Sequence, residues 1–497
     1  MPAVCAAVAL HAATIHGSVV ENLTGKPLSR VRMTLQPLSG TAGGTLKAVT
    51  NTFGAFEFPP VAGGAYLLTA SRANFATTQY GAKGWNAAGL PIVLEENSST
   101  FLNLRLPRLA AINGRVVDEN DVGLPAHDVA VYRNTRPPQL VRKVKVDERG
   151  VYRVYGLDPG SYLVRTVAHQ YPEGGYLPTF ATQTFDVEQA RAVEVALDQE
   201  ATDIDVRPAQ GQLVTIAGKV LPARPGLPVR VTLVSETGRE TIETTGDFHF
   251  QPAAPGQFEI FTEGEGTGTW NCDLLSSYQQ LQVDRDQAEL RVPAPCMGET
   301  PVRVVEKTGQ RIDYRQYRLI MRRKDLAGAG EIATEQLSNT DDPLLAAGRW
   351  DVMLLPPAGY CVTGFSGPGA KVNVARPDGW NEIVAGSPGA LRYEVSSTPG
   401  SIHGAVTGTA REAVFGAPVF LEPWDRDTRT RTGTLRVAYT DARGAYRFDS
   451  LAPGRYRILA SFEFRSPDSA AFDAAAAGEI EIQEGRDTPQ DLDLFVR

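Results

Sequence analysis

Short runs of alternating apolar and polar residues, separated by turn residues, follow one another along most of this chain. In one such run, Tyr446 and Phe448 are apolar, whereas Arg447 and Asp449 are polar. A repeat of two residues is the pattern of a β-strand with one buried face. The run therefore predicts a strand whose Tyr and Phe side chains point into a core.

Turn residues stand on both sides of that run. Asp441 can accept a hydrogen bond from the main chain two residues further on, and Gly444 suits the positive φ of a hairpin corner. Pro453 and Gly454 predict the next turn. The residues that alternate after this turn, and that we expect to face the core, are Tyr456, Ile458 and Ala460.

The same hairpin pattern recurs along the chain. Full copies span 147–164 and 51–66, and weaker copies lie at 246–258 and 355–360. Opening strands of the form Ile-x-Gly-x-Val precede four of the copies and begin at Ile15, Ile112, Ile216 and Ile402. Internal repetition of this kind predicts an array of one structural module.

The spacing of the strands predicts what that module is. Six or seven short strands in about 95 residues are typical of an antiparallel β-sandwich. The predicted fold is therefore all-β, a tandem array of about five antiparallel β-sandwich modules. The predicted divisions are 1–13 for the remnant of a signal peptide, then 14–108, 109–211, 212–296, 297–395 and 396–497 for modules 1 to 5. Module 4 diverges most, because it lacks the Asp-x-x-Gly turn.

These motifs resemble those of the carboxypeptidase regulatory-like domain. The resemblance rests on the Ile-x-Gly-x-Val opening, the Gly-x-Pro turn, the Asp-x-x-Gly-x-Tyr-x-Phe strand and the Leu-x-Pro-Gly-x-Tyr strand, and it is clearest in modules 1, 2 and 5. It implies a transthyretin-like, Ig-like sandwich and an extracytoplasmic protein, since such domains occur in tandem in bacterial envelope proteins. The matching residues shape turns and cores, so the resemblance carries over no catalytic residue.

The N-terminus and the charge bear on location and partners. Residues 3–13 are small and apolar and resemble the end of a secretory signal peptide, although they also suit an ordinary N-terminus. We expect a secreted or cell-envelope protein, periplasmic or extracellular. No apolar run reaches the roughly 18 residues of a membrane helix, so we predict no membrane span. A net charge of −8 with both signs interspersed predicts no nucleic-acid partner.

Four cysteines are too few for a disulfide scaffold or for a zinc site of paired Cys-x-x-Cys motifs. In an oxidising compartment Cys272 and Cys296 could form a disulfide. A bond between Cys296 and Cys361 is a second possibility, and unpaired thiols are a third. The sequence does not choose among them.

The chain offers little catalytic chemistry. His16 and His403 occupy a strand position where other copies have Asn113 and Ala217, so we expect that position to face solvent. The sequence contains no His-Glu-x-x-His, no Gly-x-Ser-x-Gly and no phosphate-binding loop. We therefore predict no catalytic residue, no cofactor and no metal site.

Modules 1 and 2 each carry an aromatic loop after the Tyr strand. The residues that we predict for contact with a ligand or partner are Tyr80, Trp85, Tyr171, Tyr176 and Phe180. Exposed rings beside polar groups can anchor a protein partner or stack on sugars. The alternative is that both loops fold back and cap their sandwiches.

The functional prediction follows from the modules. We expect a non-enzymatic structural spacer or protein-interaction scaffold, whose partner is a protein or a polysaccharide. The alternative is a carbohydrate-binding protein that uses the aromatic end loops of modules 1 and 2. A third possibility, a hydrolase with a site built across modules, has no motif in its favour. Five modules in line would span on the order of 150 Å, and the sequence does not decide between such a rod and a folded-back arrangement.

Overall fold

A computed structural model describes residues 12–38, 41, 43–135, 138–221, 228–235, 238–264, 278–294, 297–323, 333–339, 342–346, 348–370, 379–386, 389–425, 430–431 and 435–497. The regular secondary structure of this part of the chain is almost entirely β-strand, which confirms the predicted all-β fold. Within each of the five predicted modules the strands form two main sheets. Among the described residues, no helix combines the length and the apolar character needed to cross a membrane.

Module 1 contains eight strands in two sheets. They are β1 Thr14–Glu21, β2 Arg32–Pro37, β3 Leu46–Val49, β4 Ala55–Glu57, β5 Gly64–Ser71, β6 Thr78–Gln79, β7 Ile92–Leu94 and β8 Ser99–Leu106. One sheet has the order β4-β1-β8, in which β1 and β8 are parallel. The other has the order β3-β2-β5-β6, and β7 also pairs with β5.

Module 2 repeats this plan and adds a small hairpin. Its strands are β9 Ala110–Arg115, β10 Asp128–Arg133, β11 Gln139–Lys145, β12 Val151–Leu157, β13 Gly160–Thr166, β14 His169–Tyr171, β15 Gly174–Tyr176, β16 Val193–Val195 and β17 Glu200–Ala201. The sheets have the orders β12-β9-β17 and β11-β10-β13-β16, and β14 pairs with β15.

Modules 3 and 4 follow. Module 3 comprises β18 Ile216–Leu221, β19 Val229–Ser235, β20 Gly238–Thr244, β21 Asp247–His249, β22 Gly256–Gly264, β23 Tyr278–Val283 and β24 Gln287–Pro293. Module 4 comprises β25 Met297–Glu299, β26 Val302–Glu306, a 3₁₀ turn at Tyr314–Gln316, β27 Arg318–Arg323, β28 Ala333–Gln336, β29 Leu344–Ala346, β30 Gly348–Leu355, β31 Cys361–Ser366, β32 Asn381–Ala385 and β33 Leu391–Ser396. Their sheets have the orders β21-β18-β24 and β20-β19-β22-β23 in module 3, and β26-β33-β31 and β28-β27-β30-β32 in module 4, where β25 also pairs with β29.

Module 5 closes the chain and contains its one described α-helix. Its elements are β34 Gly400–Thr407, β35 Pro418–Asp425, β36 Thr430–Arg431, β37 Arg436–Tyr439, β38 Ala445–Leu451, β39 Gly454–Ala460, α1 Ser469–Ala474, β40 Gly478–Ile482, β41 Asp487–Pro489 and β42 Leu492–Asp493. The sheets have the orders β38-β34-β41 and β36-β35-β39-β40, with β42 also on β34 and β37 also on β35.

The repeated turn residues act as predicted. The Asp441 carboxylate accepts hydrogen bonds from the main-chain N–H groups of Arg443 and Ala445, at 2.8 and 2.9 Å. Asp147 makes the same pair of bonds in module 2. The glycine that follows has a φ of 75° in Gly444, a conformation in which a side chain would be strained. The motif therefore encodes one local turn geometry wherever it recurs.

The tyrosine two residues after Gly64, Gly160 and Gly454 has a second repeated role. The hydroxyl groups of Tyr66, Tyr162 and Tyr456 each donate to the main-chain carbonyl four residues earlier, at 2.9, 2.7 and 2.8 Å. The rings are buried in the module cores. Each tyrosine thus fills the core with its ring and fixes the preceding turn with its hydroxyl group.

The core-facing residues predicted for β39, Tyr456, Ile458 and Ala460, are buried, and Arg457 and Leu459 between them are buried as well. The equivalent strands β5 and β13 also bury consecutive residues. These are inner strands of their sheets, and further chain segments cover their outer faces.

The chain divides into two compact units. One contains 1–110, 197–199 and 399–497, and therefore modules 1 and 5, while the other contains 111–196 and 200–398. The first and last modules thus belong to the same unit.

Candidate functional site

The aromatic loop of module 2 folds back onto its own sandwich. Phe180 is only 4% exposed, and its ring lies in a small cluster with Ala130, Tyr132 and Leu163 on the outer face of the larger sheet. The Arg165 guanidinium carbon lies 4.9 Å from the centre of the Phe180 ring. Phe180 therefore caps the sheet, and burial leaves neither face of its ring open to a ligand.

The two tyrosines of this loop are also held inside the module. Tyr176 is buried, and its hydroxyl group accepts a hydrogen bond from Gln210 Nε2 at 3.3 Å. Tyr171 is half-buried, and its hydroxyl group donates to the Pro125 carbonyl at 2.6 Å. Both rings lie on the β14–β15 hairpin and meet edge to face, with centres 5.6 Å apart.

Two histidines complete this group, and we name His127, His169, Tyr171 and Tyr176 the His–Tyr cluster. The His127 ring centre lies 5.2 Å from that of His169, and the His169 and Tyr171 centres are 4.3 Å apart. His127 is fully buried and bonds through Nε2 to the Val167 carbonyl at 2.9 Å. The sequence does not reveal this cluster, because the two histidines are 42 positions apart and neither lies in a recognisable motif.

Burial keeps the cluster uncharged at neutral pH. It lowers the pKa of His127 to about 4, with a further contribution from neighbouring His169. Burial and then the charge of Lys145 lower the pKa of His169. Burial also raises the pKa of the Tyr171 hydroxyl group to about 12. The cluster therefore presents neutral rings and hydroxyl groups, without a charged acid or base.

Charged residues lie near the His–Tyr cluster. The Asp128 carboxylate forms ion pairs with Lys143 and Lys145, both at 3.1 Å. Burial alone would raise the pKa of Asp128, but hydrogen bonds from these two lysines outweigh it and lower the pKa. A surface groove of about 560 Å³ lies nearby and is lined by Pro125, Ala126, Lys145, Val146, Asp147, Glu148 and Arg149. Since this groove carries charges of both signs, it favours no single class of charged ligand.

The aromatic loop of module 1 has a different environment. Tyr80 is half-buried and packs on the core of its module, whereas Trp85 is 44% exposed. Around Trp85 the loop bonds to module 5, since the Ala88 N–H donates to the Phe462 carbonyl at 2.9 Å. Arg465 adds a bond from Nη1 to the Thr77 carbonyl at 2.6 Å. This loop therefore docks on the last module of the chain.

Apolar residues extend the contact between modules 1 and 5. Leu38, Ala65 and Leu67, on the outer face of the larger sheet of module 1, pack against Phe415 and Tyr439 of module 5. Three hydrogen bonds between the loop and module 5, counting the one from the Arg465 N–H to the Asn86 carbonyl, lie beside this cluster. The contact combines a small apolar centre with main-chain hydrogen bonds, as domain interfaces within one chain commonly do.

Metal and thiol chemistry find no support in the described residues. No group of three or more His, Cys, Asp or Glu side chains in that part of the chain is arranged to hold a metal ion. Cys272 and Cys296 lie outside the described residues, so the predicted disulfide stays a prediction. Cys361 is buried in β31.

The five predicted contact residues therefore fall into two classes. In module 2, Tyr176 and Phe180 are buried and Tyr171 is bonded to its own module, and a role of these three residues in binding stays a prediction. In module 1, Tyr80 supports the core, and Trp85 keeps an exposed ring beside the contact with module 5. A role of Trp85 in binding stays a prediction.

No family model and no curated protein sequence matches this chain. Among solved structures, the Bacillus anthracis TIE protein is 14% identical with a TM-score of 0.19, and the match covers 56% of this chain and 50% of that chain. The minor pilin GBS52 of Streptococcus agalactiae is 14% identical with a TM-score of 0.25, covering 40% of this chain and 97% of that chain. The shaft pilin SpaA of Lactobacillus rhamnosus GG is 12% identical with a TM-score of 0.25, covering 41% and 98%. Likenesses this distant say nothing about function, and the resemblance to the carboxypeptidase regulatory-like domain stays a prediction.

Proposed function

We propose that this protein is a non-enzymatic scaffold of β-sandwich modules, secreted or held in the cell envelope, that presents surfaces to protein partners. The observation that carries the proposal is the use of the aromatic loops. The module 2 loop caps its own sheet, and the module 1 loop bonds to module 5 through Ala88 and Phe462. Tyr176 and Phe180, which could have lined a binding pocket, instead support the fold of module 2.

The proposed location rests on the sequence. The small apolar residues 3–13 resemble the end of a signal peptide. Fractionation of the producing cells tests this part of the proposal, with the protein expected outside the cytoplasm. Recovery in the cytoplasm alone would contradict it.

Photo-crosslinking tests the proposed partner binding. A benzophenone amino acid placed at Trp85, beside the contact between modules 1 and 5, is expected to capture a discrete protein in the producing cells. The matched control carries the same group at Val49, an exposed position on edge strand β3. Identical capture at both positions, or turnover of peptide or glycoside substrates by the purified protein, would contradict the proposal.

The second candidate function is carbohydrate binding through the end loops. The exposed ring of Trp85 is the observation that favours it, since a sugar can stack on such a ring. A glycan array with the wild type and Trp85→Ala tests it, and binding lost in the variant would support it. Tyr176→Ala is unsuitable as a test because Tyr176 is buried, and its loss would disturb the fold.

A further inference from the structure

The smaller sheet of module 1 has an open outer face. On it, His16 of β1 lies in register with Glu57 on β4 and with Phe101 on β8. Two residues further along β1, Ser18 lies opposite Asn103. We name these five residues the outer platform. Phe101 is 58% exposed, and its ring stands among these polar groups in the middle of the sheet face.

Neighbouring side chains hold this ring in place. The His16 ring meets it edge to face, with centres 5.4 Å apart and planes at 67°. Ser18 Oγ donates to Asn103 Oδ1 at 2.7 Å, which orients the Asn103 amide beside the ring. The platform therefore combines one fixed aromatic ring with amide, imidazole and carboxylate groups that can form hydrogen bonds.

On the equivalent face of module 2, the polar side chains bond to one another, and Tyr155 is 46% exposed beside them. Glu200 accepts two hydrogen bonds from Arg153, at 2.7 and 2.9 Å, and a third from Asn113 at 2.7 Å. Asn113 occupies the position of His16, and Arg153 occupies that of Glu57. The polar groups of this face thus satisfy one another across three strands.

The charged groups on the same face of module 5 are also paired. Asp487 accepts hydrogen bonds from Arg447 at 3.1 Å and from Ser401 at 2.6 Å. In module 1 the position of this arginine is taken by Glu57, and within the described part of the chain Glu57 forms no ion pair. Modules 2 and 5 therefore pair the charged groups of this face with one another, whereas module 1 carries Phe101 there beside a carboxylate that has no such partner among the described residues.

We propose that the outer platform binds a neutral polysaccharide. The apolar C–H face of a pyranose ring stacks on Phe101, while its hydroxyl groups bond to Asn103, His16 and Glu57. A protein partner fits less well, because a stable protein interface needs an apolar, charge-poor centre of many side chains. This site is independent of the proposed scaffold function, and it uses none of the end-loop residues.

Affinity electrophoresis of the full chain tests the site, in gels that contain a β-glucan, a xylan or a mannan. At least one polysaccharide is expected to retard the wild type. Phe101→Ala should weaken that binding at least tenfold, while Phe101→Trp should keep it. Phe53→Ala is the matched control, since Phe53 is 80% exposed in the turn before β4 and lies outside the platform. Because Phe101 is exposed, its replacement should leave the melting temperature unchanged.

Three outcomes would overturn the proposal. The first is that none of the three polysaccharides retards the protein, or that each retards the wild type and Phe101→Ala equally. The second is binding that Trp85→Ala abolishes and Phe101→Ala preserves, which would assign it to the end loop. The third is Phe101-dependent self-association in the ultracentrifuge, which would assign the platform to a second copy of the chain. None of these results would contradict the scaffold function.

Discussion

At the scale of the residue, turn chemistry explains why the modules resemble one another. Asp147 and Asp441 each accept two main-chain hydrogen bonds, and Gly150 and Gly444 supply the positive φ that follows. These interactions lie within a few residues of one another. They therefore form wherever the motif occurs, whatever surrounds the module.

Burial of a titratable group, unlike these local turns, depends on residues that are far apart in the sequence. His127 is enclosed by His169, Tyr171 and Tyr176 of the β14–β15 hairpin. The charged groups near it are Asp128 and Lys145. The fold therefore makes His127 harder to protonate than it is in the unfolded chain.

We expect module 2 to lose stability as the pH falls from 7 to 4.5. The pKa of His127 is about 4 in the fold, below its ordinary value of 6.5, so the unfolded chain takes up the proton first. Above pH 6.5 the neutral His127 contributes its full share to the free energy of unfolding of module 2, on the order of 3 kcal/mol. That share is lost as the pH falls toward 4. Hydrogen exchange of the β13 amides as a function of pH measures it.

His127→Phe is the control for this prediction. It removes the titrating group and keeps a ring, so the exchange of β13 should depend less on pH even if the variant is less stable overall. The lowered pKa of Asp128 acts mainly below its ordinary value of 3.8, outside this range. A pH dependence equal to that of the wild type would show that His127 is not responsible.

At the scale of the element, the central strand of each larger sheet needs a cover on its outer face. In module 2 the cover is the aromatic loop, through Phe180 on Leu163. In module 5 it is the segment around α1, through Phe472 on Phe420 and Leu459. Different chain segments thus cover the outer face of the central strand in the two modules.

The cover of module 5 also explains a buried charge. Arg457 of β39 pairs with the fully buried Glu422 at 2.6 Å, and its guanidinium carbon lies 3.5 Å from the centre of the Trp424 ring. Asp473 of α1 adds a second ion pair at 2.7 Å. From its sequence position Arg457 alternates with core residues, so only the presence of α1 shows that it is enclosed.

Replacing Phe180 by Ala should destabilise module 2 by about 3–5 kcal/mol, because a buried ring is removed and the outer face of β13 is uncovered. Trp85→Ala should change the stability of module 1 by less than about 1 kcal/mol, since much of that ring is already in water. Thermal unfolding monitored by hydrogen exchange of each module measures both effects. Equal losses would show that the two loops have the same role.

At the scale of the whole molecule, modules 1 and 5 share one compact unit. Leu67 on the outer face of the larger sheet of module 1 is covered by Phe415 and Tyr439 of module 5. In modules 2 and 5, by contrast, the equivalent face is covered by residues of the same module.

Phe415→Asp should loosen the contact between modules 1 and 5, since it places a carboxylate against Leu38, Ala65 and Leu67. We expect at least tenfold faster hydrogen exchange at Ala88, whose N–H donates to Phe462, with little change in the core of module 5. Phe53→Asp, at an exposed position, should leave exchange unchanged. Unaltered protection of Ala88 in Phe415→Asp would show that this contact does not join the modules.

The candidate sites show which features could be predicted from the sequence and which could not. Both aromatic loops were recognisable from their composition, but their roles differ because Phe180 meets its own sheet while Trp85 lies beside another module. The outer platform was less visible. The sequence placed His16 on a solvent-facing strand position, but the register that sets it beside Phe101 joins residues 85 positions apart.

The sequence by itself determined the strands, the turns and the repeated sandwich, because those depend on local alternation and on residues such as Asp441 and Gly444 that act on their immediate neighbours. Only the tertiary structure decided which faces are covered and by what. Cover for Leu67 comes from residues more than 300 positions away, and cover for Leu163 comes from its own loop. Burial of an outer sheet face depends on packing against residues that are distant in the sequence, so the periodicity of the sequence does not predict it.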